Sequence, residues 1–323
     1  MPTRRLSADA GGIAEAGALL RAGRLVAVPT ETVYGLGADA GNPAAVAGIY
    51  AAKERPRFNP LIAHLPDLAA ARREGDFGAE ALRLAQAFWP GPLTLVVPVA
   101  AGGRVCDLAR AGLPSVALRV PGSPLARAVL AAAGCPVAAP SANRSGRVSP
   151  TQADHVRGDL DGRIAAILDG GPCPVGVEST IVACLDGPPV LLRPGGVPRV
   201  AIEAVLGRKL ALPSALAGAA PVSPGLLASH YAPRAAVRLD ATEIRPGEAA
   251  LLFGPTAPRG LDAAATFLNL SPAGDLAEAA AHLFASLRRL DASGVATIAV
   301  APIPEAGLGE AIRDRLARAA APR

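Results

Sequence analysis

The sequence predicts an α/β protein: an open, twisted mixed sheet flanked by helices, joined by a linker to a smaller Rossmann-like α/β domain. Three observations carry this. Short β-branched or Val-rich runs alternate with Ala/Leu-rich helical stretches, the pattern of helices packed on a sheet. Two runs, Thr180–Ala183 and Val190–Arg193, are parted only by an Asp186-Gly187-Pro188 turn, which predicts an antiparallel hairpin and hence a mixed sheet. The length of 323 residues suits about two domains.

The apolar and β-branched runs place strands at Leu25–Val28, Leu61–His64, Thr94–Pro98, Val116–Val120, Val137–Ala139 and Ala165–Leu168, followed by the hairpin. The Ala/Leu-rich stretches between them place helices at Gly12–Ala22, Pro43–Lys53, Ala79–Phe88, Pro124–Ala133 and Val200–Leu206. From Gly207 to Pro233 the composition turns to Ala, Pro, Gly and Ser without periodicity, which reads as a linker. Beyond it, strands at Ala249–Phe253, Thr266–Leu268 and Val295–Ala301 alternate with helices at Leu276–Leu290 and Glu305–Ala319. The expected division is 1–206, the larger α/β domain; 207–233, a linker; and 234–323, a small α/β domain.

Hydrophobic residues make up 51% of the chain and mean hydropathy is +0.33, but aromatics are only 3%. The cores should therefore be tight Ala/Val helix-on-sheet layers. No apolar run is long enough to span a bilayer, and Asp9 and Glu15 follow the N-terminus in place of an apolar signal core, so a soluble, cytoplasmic protein with no membrane partner is expected. Cys106, Cys135, Cys173 and Cys184 form no C-x-x-C pair and the four histidines show no metal spacing, which argues against disulfides and structural zinc. Acids and bases cancel from Arg234 onward, so the net charge of +5 lies upstream.

Only two of the 32 basic residues are lysines. One of them, Lys53, sits in the densest polar cluster: Lys53-Glu54-Arg55-Pro56-Arg57-Phe58-Asn59-Pro60. Three cations so close together repel unless a polyanion such as a triphosphate lies between them. No P-loop is present, because Ala52 and Arg208 precede the lysines. Gly35-Leu36-Gly37-Ala38-Asp39-Ala40 fits a loose dinucleotide fingerprint, yet the position for its acidic partner about 20 residues on falls in the basic cluster, which marks it as a decoy. Polar residues gather where open sheets place ligands, in loops at strand ends. These are Pro29–Gly35, His64, Arg119, Pro140–Gly146, Gly176–Thr180 and Leu192–Gly196.

Pro29-Thr30-Glu31-Thr32-Val33-Tyr34-Gly35-Leu36, Lys53-Glu54-Arg55-Pro56, Pro90-Gly91-Pro92-Leu93-Thr94, Ala139-Pro140-Ser141-Ala142-Asn143, Gly176-Val177-Glu178-Ser179-Thr180 and Leu192-Arg193-Pro194-Gly195 occur in the order found in the YrdC-like family, which the chain resembles. Lys53/Arg55 with Ser141/Asn143 match that family's hallmark. Ser223-Pro224-Gly225 and His230-Tyr231-Ala232-Pro233 resemble the linker of its long, two-domain form, although Leu226-Leu227-Ala228-Ser229 is less basic and aromatic than usual there.

The resemblance implies the YrdC-like twisted sheet and a threonylcarbamoyl-AMP synthase activity. L-threonine, bicarbonate or CO2, and ATP would be condensed with release of pyrophosphate, supplying a tRNA-modifying transferase machinery. It implies Lys53 and Arg55 at the carbamate and α-phosphate as catalytic residues. Asn59, Ser115, Ser141, Asn143, Ser149, Arg193 and Tyr231 would join Arg55 around ATP. Thr32, His64, Arg119, the backbone at Ala139 and Ser179 would hold threonine. Mg2+ would ride on the phosphates, with no metal ligand assigned to the protein. Charge repulsion between carbamate and triphosphate is the main obstacle to such a reaction, so cations matter more than a side-chain nucleophile. A rival class is an RNA-binding module. A weak RNA contact fits a basic concave face, but the few aromatics do not interleave with arginine. A nucleotide sensor that binds ATP without consuming it is a third reading.

Overall fold

The protein is described here from a computed structural model covering residues 2–56, 59–211 and 230–322. Ten strands form one open sheet: β1 (Arg4–Ser7), β2 (Val26–Pro29), β3 (Tyr34–Asp39), β4 (Ile62–His64), β5 (Leu93–Pro98), β6 (Ser115–Arg119), β7 (Val137–Ala138), β8 (Ala166–Asp169), β9 (Thr180–Ala183) and β10 (Val190–Arg193). Their spatial order is β1-β8-β2-β3-β7-β4-β6-β5-β9-β10. Parallel pairs such as β4–β6 and β5–β9 mix with antiparallel ones, and β9–β10 is the expected hairpin.

The helices α1 (Ala10–Arg21), α2 (Pro43–Lys53), α3 (Leu68–Glu74), α4 (Ala79–Phe88), α5 (Asp107–Arg110), α6 (Pro124–Ala133), α7 (Ala153–Leu160) and α8 (Arg199–Leu206) flank the sheet. Local chemistry fixes α2, which carries Lys53 on its last turn. The Asn42 side chain accepts from the Ala44 and Ala45 N–H groups, Pro43 opens the first turn, and Glu54 ends the helix in the left-handed region at φ 55°. That conformation is unfavourable for a residue with a Cβ. Arg144 and Arg163 grip the Glu54 carboxylate at 2.6 and 2.9 Å and hold the turn in place.

Nothing in the sequence separates β3 from the loop before it, because two glycines weaken its strand signal. The structure gives their reason. A Cβ on Gly35 would lie 3.1 Å from the Ala139 Cβ, and one on Gly37 would lie 3.1 Å from the Val26 carbonyl oxygen. The apparent dinucleotide fingerprint is thus a buried strand between β2 and β7.

The second sheet consists of β11 (Ala236–Arg238), β12 (Ala249–Leu252), β13 (Thr266–Asn269) and β14 (Thr297–Val300), in the order β11-β14-β12-β13. Every pair in it is parallel, and α9 (Leu276–Ala292) and α10 (Gly309–Ala320) accompany it. Residues 212–229, which include Ser223–Gly225 and Leu226–Ser229 of the expected linker, lie outside the described residues, as do Arg57 and Phe58. No helix among the described residues is long and apolar enough to cross a membrane.

The two sheets share one apolar layer. Val33, Val148 and Val177 from the first domain pack in the same buried cluster as Leu283, Phe284 and Leu287 of α9. Arg288 on α9 also donates to Asp159 of α7 at 2.6 Å. Gly176 is the closest approach: its φ is 75°, and a Cβ there would sit 2.2 Å from the Ala280 carbonyl oxygen. Gly176→Ala should therefore destabilise the chain by about 3 kcal/mol, through overpacking and left-handed strain together. Denaturant unfolding checks this, and an unchanged midpoint would show that the α9 contact is dispensable.

Candidate functional site

The carboxyl ends of several strands and the loops that follow them open onto one cleft. Thr32 and Val33 reach it from the β2–β3 turn, Arg55 from the chain after α2, Ile62 and His64 from β4, and Arg119 from the end of β6. Ala139, Pro140 and Ser141 follow β7, Glu178 and Ser179 lead into β9, Arg193 ends β10, and His230 and Tyr231 complete the wall.

On one side, Arg119 is buried and its Nη2 donates to Glu31 Oε1 at 2.6 Å. Burial opposes ionisation of Glu31, but Arg119 and the Gly122 N–H overcome it and hold the carboxyl below the usual carboxylate range. His64 is pushed down to about 3, first by burial and then by the Arg119 charge. It is neutral at neutral pH, and its Nδ1 donates to the Ile62 carbonyl at 3.1 Å. The Thr30 and Thr32 hydroxyls share a hydrogen bond of 2.8 Å, and Ser179 Oγ lies 2.7 Å from Thr94 Oγ1.

The other side is cationic. The buried Lys53 ammonium donates to the Ser141 and Asn143 carbonyls, and Ser145 N–H returns a bond to the Lys53 carbonyl at 2.8 Å. Burial, then the neighbouring Arg55, push the Lys53 pKa well below its usual value. Arg55 is itself pushed down to about 10 by burial, with Arg193 adding to the shift. Arg193 is lowered chiefly by burial as well, and its Nη2 donates to the Ser179 carbonyl at 2.9 Å. Arg55 Nε, Asn59 Oδ1 and Asn143 Oδ1 are buried without a hydrogen-bond partner among the described residues. Buried polar atoms are seldom left so, and the orphan on Arg55, in the cleft wall, fits a polar ligand.

Thr32, Arg55, His64, Arg119, Ala139, Ser141, Ser179, Arg193 and Tyr231, all expected from the sequence, line the cleft. Lys53 and Asn143 lie directly behind Ser141. Ser149 stands behind the wall and donates to Glu178 Oε1 at 2.5 Å. Asn59 is buried off the cleft, where its carbonyl accepts from the Tyr50 hydroxyl at 3.2 Å. Ser115 is buried at the opposite end of β6 from Arg119, roughly 13 Å away along the strand, and does not line the cleft.

Four residues of the site received no role from the sequence. Glu31 and Glu178 stand inside recognisable motifs, but carboxylates look out of place beside an anion until their arginine partners are seen. His230, next to Tyr231, is pushed down to about 3 by burial, and its Nδ1 accepts the Tyr231 N–H at 2.9 Å. The fourth, Arg315, arrives from α10. Its Nε donates to Glu178 Oε2 at 2.7 Å. Burial again opposes ionisation of Glu178, and the charges of Arg315 and Arg193 outweigh it to keep the carboxyl below its usual range.

An open mixed sheet with a buried cationic cleft, capped by an all-parallel second domain, defines a two-domain α/β protein built to hold an anion beside a smaller polar ligand. A family profile described as telomere recombination, covering Sua5, YciO and YrdC proteins, matches residues 18–195. A second, described as the threonylcarbamoyl-AMP synthase C-terminal domain, matches residues 197–321. The chain belongs to the Sua5/YciO/YrdC family, in its two-domain form, and the resemblance read from the motifs is borne out. It is 42% identical to the threonylcarbamoyl-AMP synthase of Bacillus subtilis over 98% of this chain and 95% of that protein. It is 39% identical to the Pyrococcus abyssi protein of the same name, over 94% and 92% of the two. The crystal structure of P. abyssi Sua5 complexed with L-threonine superposes with a TM-score of 0.87 at 36% identity, covering 98% of this chain and 97% of that one.

The neutral histidines predict a pH dependence. Their folded pKa values, about 3, lie below the unfolded value of about 6.5, so the unfolded chain takes up protons first as pH falls. Their contribution is complete above about 6.5 and declines toward 3, approaching about 1.4 kcal/mol per pH unit for each histidine. Carboxylates add their own loss only near and below about 4. Unfolding free energies at pH 7, 6 and 5 should therefore fall, and His64→Gln should flatten the slope.

Proposed function

We propose that the chain is an L-threonylcarbamoyladenylate synthase, a nucleotidyltransferase acting on L-threonine, bicarbonate or CO2, and ATP. The observation that carries this reading is that Arg55 and Arg193, both buried, line a cleft with Lys53 buried behind its Ser141 wall, while the other end holds Arg119 and a neutral histidine. The names of the relatives supply the substrate set.

On the amino-acid side, Arg119 would fork the threonine carboxylate, oriented by Glu31. Thr32, Ser179, the Ala139 backbone and uncharged His64 would take the remaining polar groups, and a neutral imidazole there does not repel the substrate amine. The unprotonated amine nitrogen adds to the carbon of CO2 and gives up one proton to solvent, leaving a carbamate; starting from bicarbonate, water leaves in place of that proton. A carbamate oxygen then attacks the α-phosphorus. The bond to the bridging oxygen breaks, and pyrophosphate departs with the electron pair.

Both reactants are anions, so fixed positive charge is the main requirement. Arg55 and Arg193 face the cleft, while two carbonyls leave Lys53 a third N–H to offer the α-phosphate. A triphosphate arriving here favours the charged form of a lysine that burial has made easier to deprotonate. Asn59, Ser115, Ser141, Asn143 and Ser149 belong to the same nucleotide proposal. Ser149 and Ser115 would need the nucleotide to reach past Glu178 and along β6. Tyr231 would cover the nucleotide and exclude water from the mixed anhydride. Mg2+ would travel on the phosphates, a placement that asks no ligand of the protein. The assignment of 1–206 as the catalytic domain, of 207–233 as a linker and of 234–323 as the second domain is part of this reading. So are a cytoplasmic location and delivery of the product to a tRNA-modifying transferase.

Labelled threonine with ATP and bicarbonate should yield an adenylate and pyrophosphate. Omitting bicarbonate should abolish the product, and ATP binding without turnover would instead favour a sensor. Lys53→Ala should slow turnover by roughly a hundredfold to a thousandfold, about 3–4 kcal/mol of transition-state stabilisation. A variant with near-full turnover removes Lys53 from the mechanism. Glu31→Gln frees the Arg119 fork and should raise KM for threonine by about tenfold with little change in KM for ATP.

A further inference from the structure

Among the described residues, Arg315 heads the largest fully buried side chains, and it belongs to the second domain. Its guanidinium sits where three parts of the chain meet. Nε donates to Glu178 Oε2 at 2.7 Å, at the entrance to β9. Nη1 donates to Asp314 Oδ2 at 2.6 Å on its own helix. Cζ lies 5.3 Å from the centroid of the Tyr231 ring, within range of a cation–π contact. Nη2 is buried with no hydrogen-bond partner among the described residues.

Tyr231 is fully buried and takes a left-handed backbone, φ 60°, which a residue with a Cβ adopts only when its surroundings enforce it. Those surroundings are specific. His230 N–H donates to the Arg318 carbonyl at 3.2 Å, on α10, while Ala232 N–H donates to Gly146 O at 2.9 Å, in the catalytic domain. Phe284 of α9 stacks on the Tyr231 ring at 5.5 Å between centroids. Glu178 and Tyr231 line the cleft; Arg315 does not.

We propose that Arg315 is a positioning residue supplied by the second domain, fixing the Glu178 carboxylate and the Tyr231 ring in the cleft wall so that nucleotide affinity depends on a side chain that never touches the nucleotide. The inference rests on the reading of the cleft as a nucleotide site. A planar guanidinium can bond two carboxylates through its edge while presenting a face to a ring; a compact ammonium cannot do all three at once. The threonine side is insulated, because Ser179 Oγ is held by Thr94 and Arg193, and Arg119 by Glu31.

Calorimetric titration of the full chain with ATP and, separately, with threonine tests the proposal in wild type, Arg315→Lys, Tyr231→Ala and the double variant. Arg315→Lys keeps the buried positive charge opposite Glu178. It is expected to weaken ATP binding about tenfold, to leave threonine binding within about twofold, and to add little once Tyr231 is already alanine. A folded Arg315→Lys protein that binds ATP like wild type overturns the proposal. So does a loss of the same factor in the Tyr231→Ala background, because purely structural effects add. If Arg315→Lys does not fold, Glu178→Gln/Arg315→Met, which removes both buried charges, is compared with Glu178→Gln alone and read by the same criteria. Failure of both proteins to fold assigns Arg315 to stability alone and also overturns the proposal. Wild-type protein that binds no ATP would instead remove the nucleotide reading itself.

Discussion

Holding several cations in one desolvated cleft is the constraint on which the rest of the structure depends. Lys53, Arg55, Arg119 and Arg193 are all buried and face the same small volume or its wall. Each loses hydration, and each raises the cost of its neighbours. The fold offsets part of this with dipoles, as carbonyls receive Lys53 and Arg193. The remainder is stored as affinity for an anion, since a ligand that cancels the repulsion is stabilised by the amount it relieves. The rigid sheet keeps these groups from swinging out to solvent, as exposed arginines on a mobile loop would.

The cleft does not treat its two sides alike. Arg119 comes with a fixed counter-charge, Glu31, and beside it stands an imidazole too buried to ionise. That side is balanced before any ligand arrives and suits a small zwitterion, which needs orientation more than attraction. Among the described residues, Lys53 and Arg55 have no carboxylate bonded to them; burial lowers both, helped by Arg55 at Lys53 and by Arg193 at Arg55. Such a side suits a ligand of high negative charge. The asymmetry means that charge, before shape, distinguishes the two ends of the site.

Much of this was legible in the sequence because an open α/β sheet puts ligand groups at strand ends, and strand ends follow short apolar runs. His64, Arg119 and Arg193 could each be placed that way, and Lys53 stood out for its rarity. β3 was hidden because its glycines serve a close strand contact that no local pattern announces. Ser115 stands away from the cleft that the other matched positions line, since a strand carries its first and last residues to opposite ends of the sheet. Arg315 was beyond reach for a different reason. Gly309–Ala320 reads as an ordinary charged helix, and which of its arginines is buried is decided by a surface more than a hundred residues upstream.

That last contact clarifies what the second domain does to the cleft electrostatically. Docking α10 brings another cation against a site already crowded with them, which on charge alone should be unfavourable. Arg315 arrives bonded to Asp314 and meets Glu178, so the added positive charge is matched on both sides within hydrogen-bond distance. Ser149 takes the other Glu178 oxygen, leaving that carboxylate occupied on both atoms and poorly placed to neutralise Arg193 through a direct bond. The net effect is to tie Glu178 to Arg315 and Ser149, so that Arg193 feels its charge without a direct bond. A second domain that merely covered the cleft with apolar surface would have left Glu178 free to turn toward Arg193 or Arg55 and bond directly to a cation that the proposed anion site needs. On this account, the buried ion pair between the domains protects the cleft's charge as much as it joins the two halves of the chain.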